Sequence, residues 1–253
     1  MPAKDIPVLT AMPVSPWSEK ARWALDHHRI EYIENVYTPM LSEPALRWRL
    51  RRVRGPVTVP VLFADGEAFT DSFDIAHYAE RRGAGAPLFR RGLESAIDRW
   101  NQVSDAAMRA GRALVSCRIG DDPQARSEAL PDLVPRPLRR PLEPVARLGV
   151  LYLKKKHRFS DDEHGNRADL RGRLAEMQSA LSDGRQYLLG EFSYADIAMA
   201  AALQFVSPVA DDHLPLGPAT RRVWTDLDLA GELTDLIEWR DQLYAEQRRP
   251  ARA

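Results

Sequence analysis

Through residue 83 of this 253-residue chain, strand and helix signals alternate; beyond Pro87 the strand signals fade and helical ones remain. That change limits the fold more than any other feature, because alternating elements build a covered sheet and a run of helices builds a separate layer. Val8-Leu9-Thr10 predicts a short strand and Pro16 to Arg29 a helix, with Trp17, Ala21, Ala24, Leu25 and His28 at helical spacing. Tyr32 to Tyr37 reads as a second strand and Leu41 to Arg52 as a basic helix ended by Gly55-Pro56. Val59 to Phe63, the turn Asp65-Gly66, and Glu67 to Thr70 read as a hairpin. Ser72 opens a third helix through Arg82, which Gly83 and Gly85 stop.

The order β-α-β-α-β-β-α predicts an α/β unit of thioredoxin-like type over residues 1–84, and an all-α second domain over 88–253. In the second domain, helices are expected from Gly92 to Leu114, Pro144 to His157, Leu170 to Leu181, Tyr194 to Val206 and Glu232 to Gln247. Residues 121–157 read as irregular, with six prolines between Pro123 and Pro144 ahead of the basic helical piece from Pro144 to His157.

Lys+Arg and Asp+Glu both number 36, so net charge makes no case for nucleic acid. The single cysteine, Cys117, excludes an intramolecular disulfide framework and fits a reducing, cytoplasmic setting. No apolar leader opens the chain, and no run approaches the roughly 18 apolar residues of a membrane span, so neither a signal peptide nor a spanning helix is expected. No zinc-type spacing and no glycine-rich phosphate loop occur. Asp161-Asp162-Glu163-His164 reads as a polar loop rather than a cation site.

The first helix start, Ser15-Pro16-Trp17-Ser18, is the best candidate for chemistry. Ser15 suits the cap and Pro16 the first helical position. A helix N-terminus carries unsatisfied N–H groups and a partial positive charge, so it favours a thiolate over a thiol. A redox helix start of this kind carries Cys-x-x-Cys. Serines hold both places here, so the chain is expected to hold another molecule's thiol. Either Ser15 or Ser18 supplies a hydroxyl for that, and either also serves as a plain structural hydroxyl.

Four pieces together resemble the glutathione transferase superfamily in its serine-type, cytosolic form. They are Ser15-Pro16-Trp17-Ser18 with Arg22, Val59-Pro60-Val61-Leu62, Asp71-Ser72, and Gly190 to Ala198. The resemblance implies glutathione as co-substrate, no metal, and thiolate attack on an apolar electrophile. It implies a hydrogen bond from Ser15 to the glutathione sulfur. It implies a cis bond before Pro60, with the Val59 backbone pairing to the tripeptide, and Asp71 and Ser72 at the γ-glutamyl end. Trp17, with Lys20, Arg47 and Arg49 as lesser candidates, is placed near the glycyl end. The second substrate is placed near Trp100, Met108 and residues 115–157. Thiol–disulfide exchange, which resembles cysteine-bearing members, is disfavoured by Ser15. Isomerisation, dehalogenation and ether cleavage remain open, as does a non-catalytic member, and a homodimer is implied. Ser193 and Asp196 have the form of a capping box and read as structural.

Between Arg136 and Arg158 eight Lys or Arg face one Glu, with leucines and valines between them. The favoured reading is a helix packed on the second domain with its basic side solvated. Contact with an anionic membrane surface through 136–158 is the alternative.

Overall fold

The computed structural model describes residues 6–130, 134–139, 141–157 and 162–248, without the side chains of Arg136 and Glu143. Arg140 and Arg158 of the basic segment, and Asp161 of the acidic loop, lie outside the described residues.

The N-terminal region is a small mixed sheet of thioredoxin-like type. Its strands are β1 (Val8–Ala11), β2 (Ile33–Val36), β3 (Val61–Ala64) and β4 (Glu67–Phe69), in the order β2-β1-β3-β4. β2 runs parallel to β1, whereas β3 runs antiparallel to β1 and to β4. Asp65 and Gly66 form the β3–β4 turn at φ values of 53° and 81°. Two consecutive left-handed residues match the twist of the strands they join. β2 is an edge strand with Ile33 and Val36 exposed, and it is shorter at both ends than the 32–37 run suggests.

Helices α1 (Pro16–His27) and α3 (Ser72–Arg82) pack on each other, burying Ala21, Ala24 and Leu25 with Ile75, Ala76 and Ala79. Small side chains let the two backbones approach closely. Helix α2 (Glu43–Arg49) contributes Leu46 to a separate cluster with Tyr37, Val57 and Val61. α1 and α2 stop earlier than their sequence patterns indicate. Each ends with an arginine in the left-handed region, Arg29 at φ 57° and Arg51 at φ 51°. The next N–H then reaches back five residues, Ile30 to Leu25 O at 2.9 Å and Arg52 to Arg47 O at 3.0 Å, satisfying last-turn carbonyls. Gly83 is not left-handed. It and Gly85 are demanded by space: a Cβ at Gly85 would lie 2.6 Å from the His27 carbonyl oxygen, and one at Gly83 would collide with His28.

The C-terminal region is helical. It comprises α4 (Glu94–Asp121), α5 (Pro123–Glu128), α6 (Arg136–Arg139), α7 (Glu143–His157) and α8 (Glu163–Ala180). α9 (Tyr194–Ala202) with a 3-10 turn, α10 (Pro218–Trp224), α11 (Leu227–Glu232) and α12 (Thr234–Gln247) follow. α4 runs seven residues past Leu114. α8 begins at Glu163, not Leu170, because Asp162 caps it by accepting the Gly165 N–H at 2.9 Å. The acidic loop is therefore a helix start. The proline-rich stretch holds α5, whose Glu128 accepts the N–H groups of Ala219 and Thr220 at 3.1 and 2.7 Å and so caps α10. α10 and α11 had no counterpart in the sequence pattern.

The chain divides into two compact units. Among the described residues, one runs to Gln102 and takes in Gly184–Ala201 and the stretch from Leu243 to Arg248; the other holds Val103–Asp183 and Ala202–Gln242. Among the described residues, no helix is long and apolar enough to cross a membrane.

Candidate functional site

The sheet register gathers the sequence-predicted residues at one end of the first unit. Thr10 pairs with Val61, so the end of β1, leading to Ser15, lies beside the start of β3, where Val59 and Pro60 enter. Leu62 pairs with Phe69, so the end of β4, leading to Asp71 and Ser72, reaches the same edge. Ala11 pairs with Val36 and brings the end of β2 there as well.

Ser15 has extended backbone (φ −85°, ψ 122°) and caps α1, its Oγ accepting the Ser18 N–H at 3.5 Å. The bond is long, and an accepting hydroxyl still has its own proton to donate. Ser15 is half-buried, whereas Ser18 has 0% exposure and its Oγ accepts the Met12 N–H at 3.1 Å. Ser18 therefore fastens the loop before the helix, and Ser15 is the hydroxyl of the pair that reaches the surface. Arg22 steadies the same loop. It forks onto Glu34 of β2 at 2.7 to 3.1 Å and donates to the Met12 and Pro13 carbonyls at 3.3 and 3.4 Å.

The Val59–Pro60 peptide bond is cis. Val59 is half-buried and Pro60 buried. Asp71 caps α3, its Oδ1 accepting the Phe73 N–H at 2.7 Å, and it is exposed. Ser72 is only 2% exposed, so its hydroxyl lies under the surface rather than on it. Trp17 is half-buried on the first turn of α1.

The lesser cationic candidates have other occupations. Lys20 is 0% exposed, and its Nζ donates to Asn101 Oδ1 at 2.8 Å, which takes it away from any ligand. Arg47 pairs with Glu43 at 2.8 Å, and Arg49 lies 3.7 Å from the Phe63 ring centroid. Met108 is fully buried and Trp100 nearly so; neither offers a surface to a second substrate. Burial pushes the Tyr37 phenol up to about 12, with Glu43 adding to the effect, so this tyrosine stays protonated near neutral pH.

Sequence reasoning missed what anchors α1 from behind. Arg248 donates to Glu19 at 2.7 Å and to Asp26 at 2.8 Å, all three buried, and Trp23 Nε1 donates to the Gln247 carbonyl at 3.2 Å. A charged triad inside a protein is tolerable only when fully paired. The sole sequence signal was the presence of two acids on an otherwise buried helix face.

Asp196 accepts the Ser193 N–H and hydroxyl at 2.8 and 2.9 Å and the Leu188 N–H at 2.8 Å. Burial raises its pKa to about 6, against those hydrogen bonds, which lower it. Among the described residues, no group of His, Cys, Asp or Glu could hold a metal ion.

Residues 14–82 match the family model for the glutathione S-transferase N-terminal domain. Comparison with curated proteins gives no match. Solved structures share the fold along the whole chain. Glutathione transferase GSTFuA3 from Phanerochaete chrysosporium is 17% identical, with 99% of this chain and 100% of that one covered at TM-score 0.61. The β-etherase LigF from Sphingobium sp. strain SYK-6 is 15% identical, with 96% of each chain covered at TM-score 0.64. A glutathione transferase family member from Pseudomonas fluorescens Pf-5, solved with bound glutathione, is 20% identical, with 97% and 100% covered at TM-score 0.58. Residues 14–82 therefore carry the glutathione S-transferase N-terminal domain, and the chain as a whole shares the fold of solved glutathione transferases.

Proposed function

We propose that the protein is a glutathione transferase that binds the tripeptide in residues 1–84 and the second substrate in residues 88–253. The observation that carries this reading is the half-buried Ser15 hydroxyl at the N-terminus of a twelve-residue helix, at the sheet edge shared with cis Pro60 and Asp71. Ser15 donates to the glutathione sulfur, and the helix end favours its anion. A free thiol near ~8.5 is then largely ionised at neutral pH. The proton passes to solvent, the sulfur forms a bond to an apolar electrophile's carbon, and the leaving group departs with the electron pair. The chain's own share is to lower the thiol pKa and hold two reactants together.

Val59 supplies backbone pairing to the cysteinyl part. Asp71 takes the γ-glutamyl ammonium, and Ser72 takes the carboxylate through its N–H. Trp17 flanks the glycyl end. Ser193 and Asp196 act in folding. A cytoplasmic homodimer belongs to the same reading. Ether cleavage by the same thiolate is the second reading, favoured by the structural likeness to a β-etherase.

Calorimetry with glutathione, followed by turnover of 1-chloro-2,4-dinitrobenzene, tests the proposal. Binding with conjugation supports it. Binding without conjugation, but with cleavage of a β-aryl ether, transfers the site to the second reading. No affinity at millimolar glutathione overturns both.

A further inference from the structure

The helix of the basic segment packs on the second unit with Arg147 and Lys155 exposed, and it exposes apolar side chains beside them. α7 packs inward against α5, and Val150 lies next to Gly120 of α4, where an added Cβ would sit 3.4 Å from its methyl. Outward it presents apolar side chains: Val145, Leu148 and Leu151 are 53%, 58% and 52% exposed. These recur every three residues and form one stripe along the first turns. The last turn carries Lys154, Lys155 and Lys156, of which Lys155 is exposed on the side of the stripe. Leu138 and Leu142, just before the helix, are also exposed.

Charge decides what suits this face. The whole chain has a formal net charge of zero, yet the stretch from Arg136 to Arg158 concentrates eight basic residues against one acid. A second copy of the chain would place this excess against the same excess, which is unfavourable across a two-fold contact. An acidic headgroup layer over hydrocarbon complements both features at once. We propose that the outward face of α7 docks on an anionic lipid bilayer, with Val145, Leu148 and Leu151 entering the headgroup boundary and the lysine turn meeting the acidic headgroups. α7 holds none of the residues assigned to glutathione, so the two proposals stand or fall separately.

The test is co-sedimentation of the full chain with phosphatidylcholine vesicles, with and without phosphatidylglycerol, at low and high salt. Partition into the acidic vesicles alone, weakened by salt, is expected. The variant Lys154→Gln/Lys155→Gln/Lys156→Gln reduces partition on the order of 100-fold, since each basic residue near such a surface contributes about one factor of five. Leu148→Ser/Leu151→Ser reduces it at least about tenfold at unchanged charge. Leu148, Leu151 and Lys155 are exposed and Lys154 and Lys156 half-buried, and unchanged circular dichroism and thermal unfolding verify that both variants fold. Absence of partition at low salt overturns the proposal, as does partition that either variant leaves unchanged. So does a wild-type dimer in sedimentation velocity that dissociates in the leucine variant while vesicles bind nothing, which would give the face to a second copy.

Discussion

Ser15 and Ser18 sit one helical turn apart with the same side chain, and burial separates their roles. Ser18 is sealed and holds the Met12 N–H, whereas Ser15 keeps a hydroxyl proton at the surface. The sequence left these two open, since spacing states that two hydroxyls flank a helix start but not which one the preceding loop folds over. Lys20 shows the same limit: a lysine on an amphipathic helix looks solvated until a helix far along the chain supplies Asn101. Asp196 was readable, because S-x-x-D is a local device. Its replacement tests that assignment. In Asp196→Asn one amide hydrogen-bearing nitrogen faces buried donors that the carboxylate now satisfies, at a cost of about 2–4 kcal/mol. Urea unfolding reads that loss, while glutathione affinity of the folded fraction stays within about threefold of the parent. An unchanged midpoint would show that the buried carboxylate contributes nothing to folding.

At the scale of elements, the starts of α1 and α3 and the ends of α3, α7 and α12 were legible, whereas the ends of α1 and α2 and the start of α8 were not. Ser15-Pro16, Asp71-Ser72 and Asp65-Gly66 announce themselves through side chains that bond their own backbone or tolerate positive φ. The ends of α1 and α2 are arginines in a conformation usually held by glycine, which no composition rule marks. α10 is missed because its cap, Glu128, comes from 91 residues earlier. α11 is capped by Asp226, which accepts the Leu229 N–H at 3.1 Å and is held by Arg118 and Arg167 at 2.9 Å. Burial works to raise this carboxyl, but the Arg167 and Arg118 hydrogen bonds outweigh it and hold its pKa below the ordinary 3.8. A depressed folded-state pKa means the unfolded chain takes up the proton first, so the stabilisation is complete above about pH 4 and is lost as pH falls further. Asp226→Asn retains the cap and removes the charge, lowering stability by about 2 kcal/mol near neutrality. The gap from wild type in thermal unfolding is expected to narrow between about pH 4 and pH 2. A gap independent of pH would mean that the arginines do not act on this carboxylate.

Over the whole molecule, the sheet's connectivity turns scattered motifs into one place. Three strands that run in alternating directions deliver the chain to the same edge at Ser15, at Val59-Pro60 and at Asp71. The alternation of short strands and helices sufficed to predict that sheet, because each signal is local. The division into compact units was less accessible, since Gly184–Ala201 and the stretch from Leu243 to Arg248 join the first unit through contacts distant in sequence, such as Arg248 with Glu19 and Asp26. These anchors fix α1, and α1 fixes the hydroxyl on which the proposed chemistry depends. The most direct measurement is the pH titration of thiolate absorbance in the glutathione complex, compared between the parent and Ser15→Ala. A parent midpoint well below the ~8.5 of a free thiol, and a variant midpoint higher than the parent by about one unit or more, is the predicted result. Coincident midpoints would contradict it, because the sulfur would then be ionising without help from Ser15.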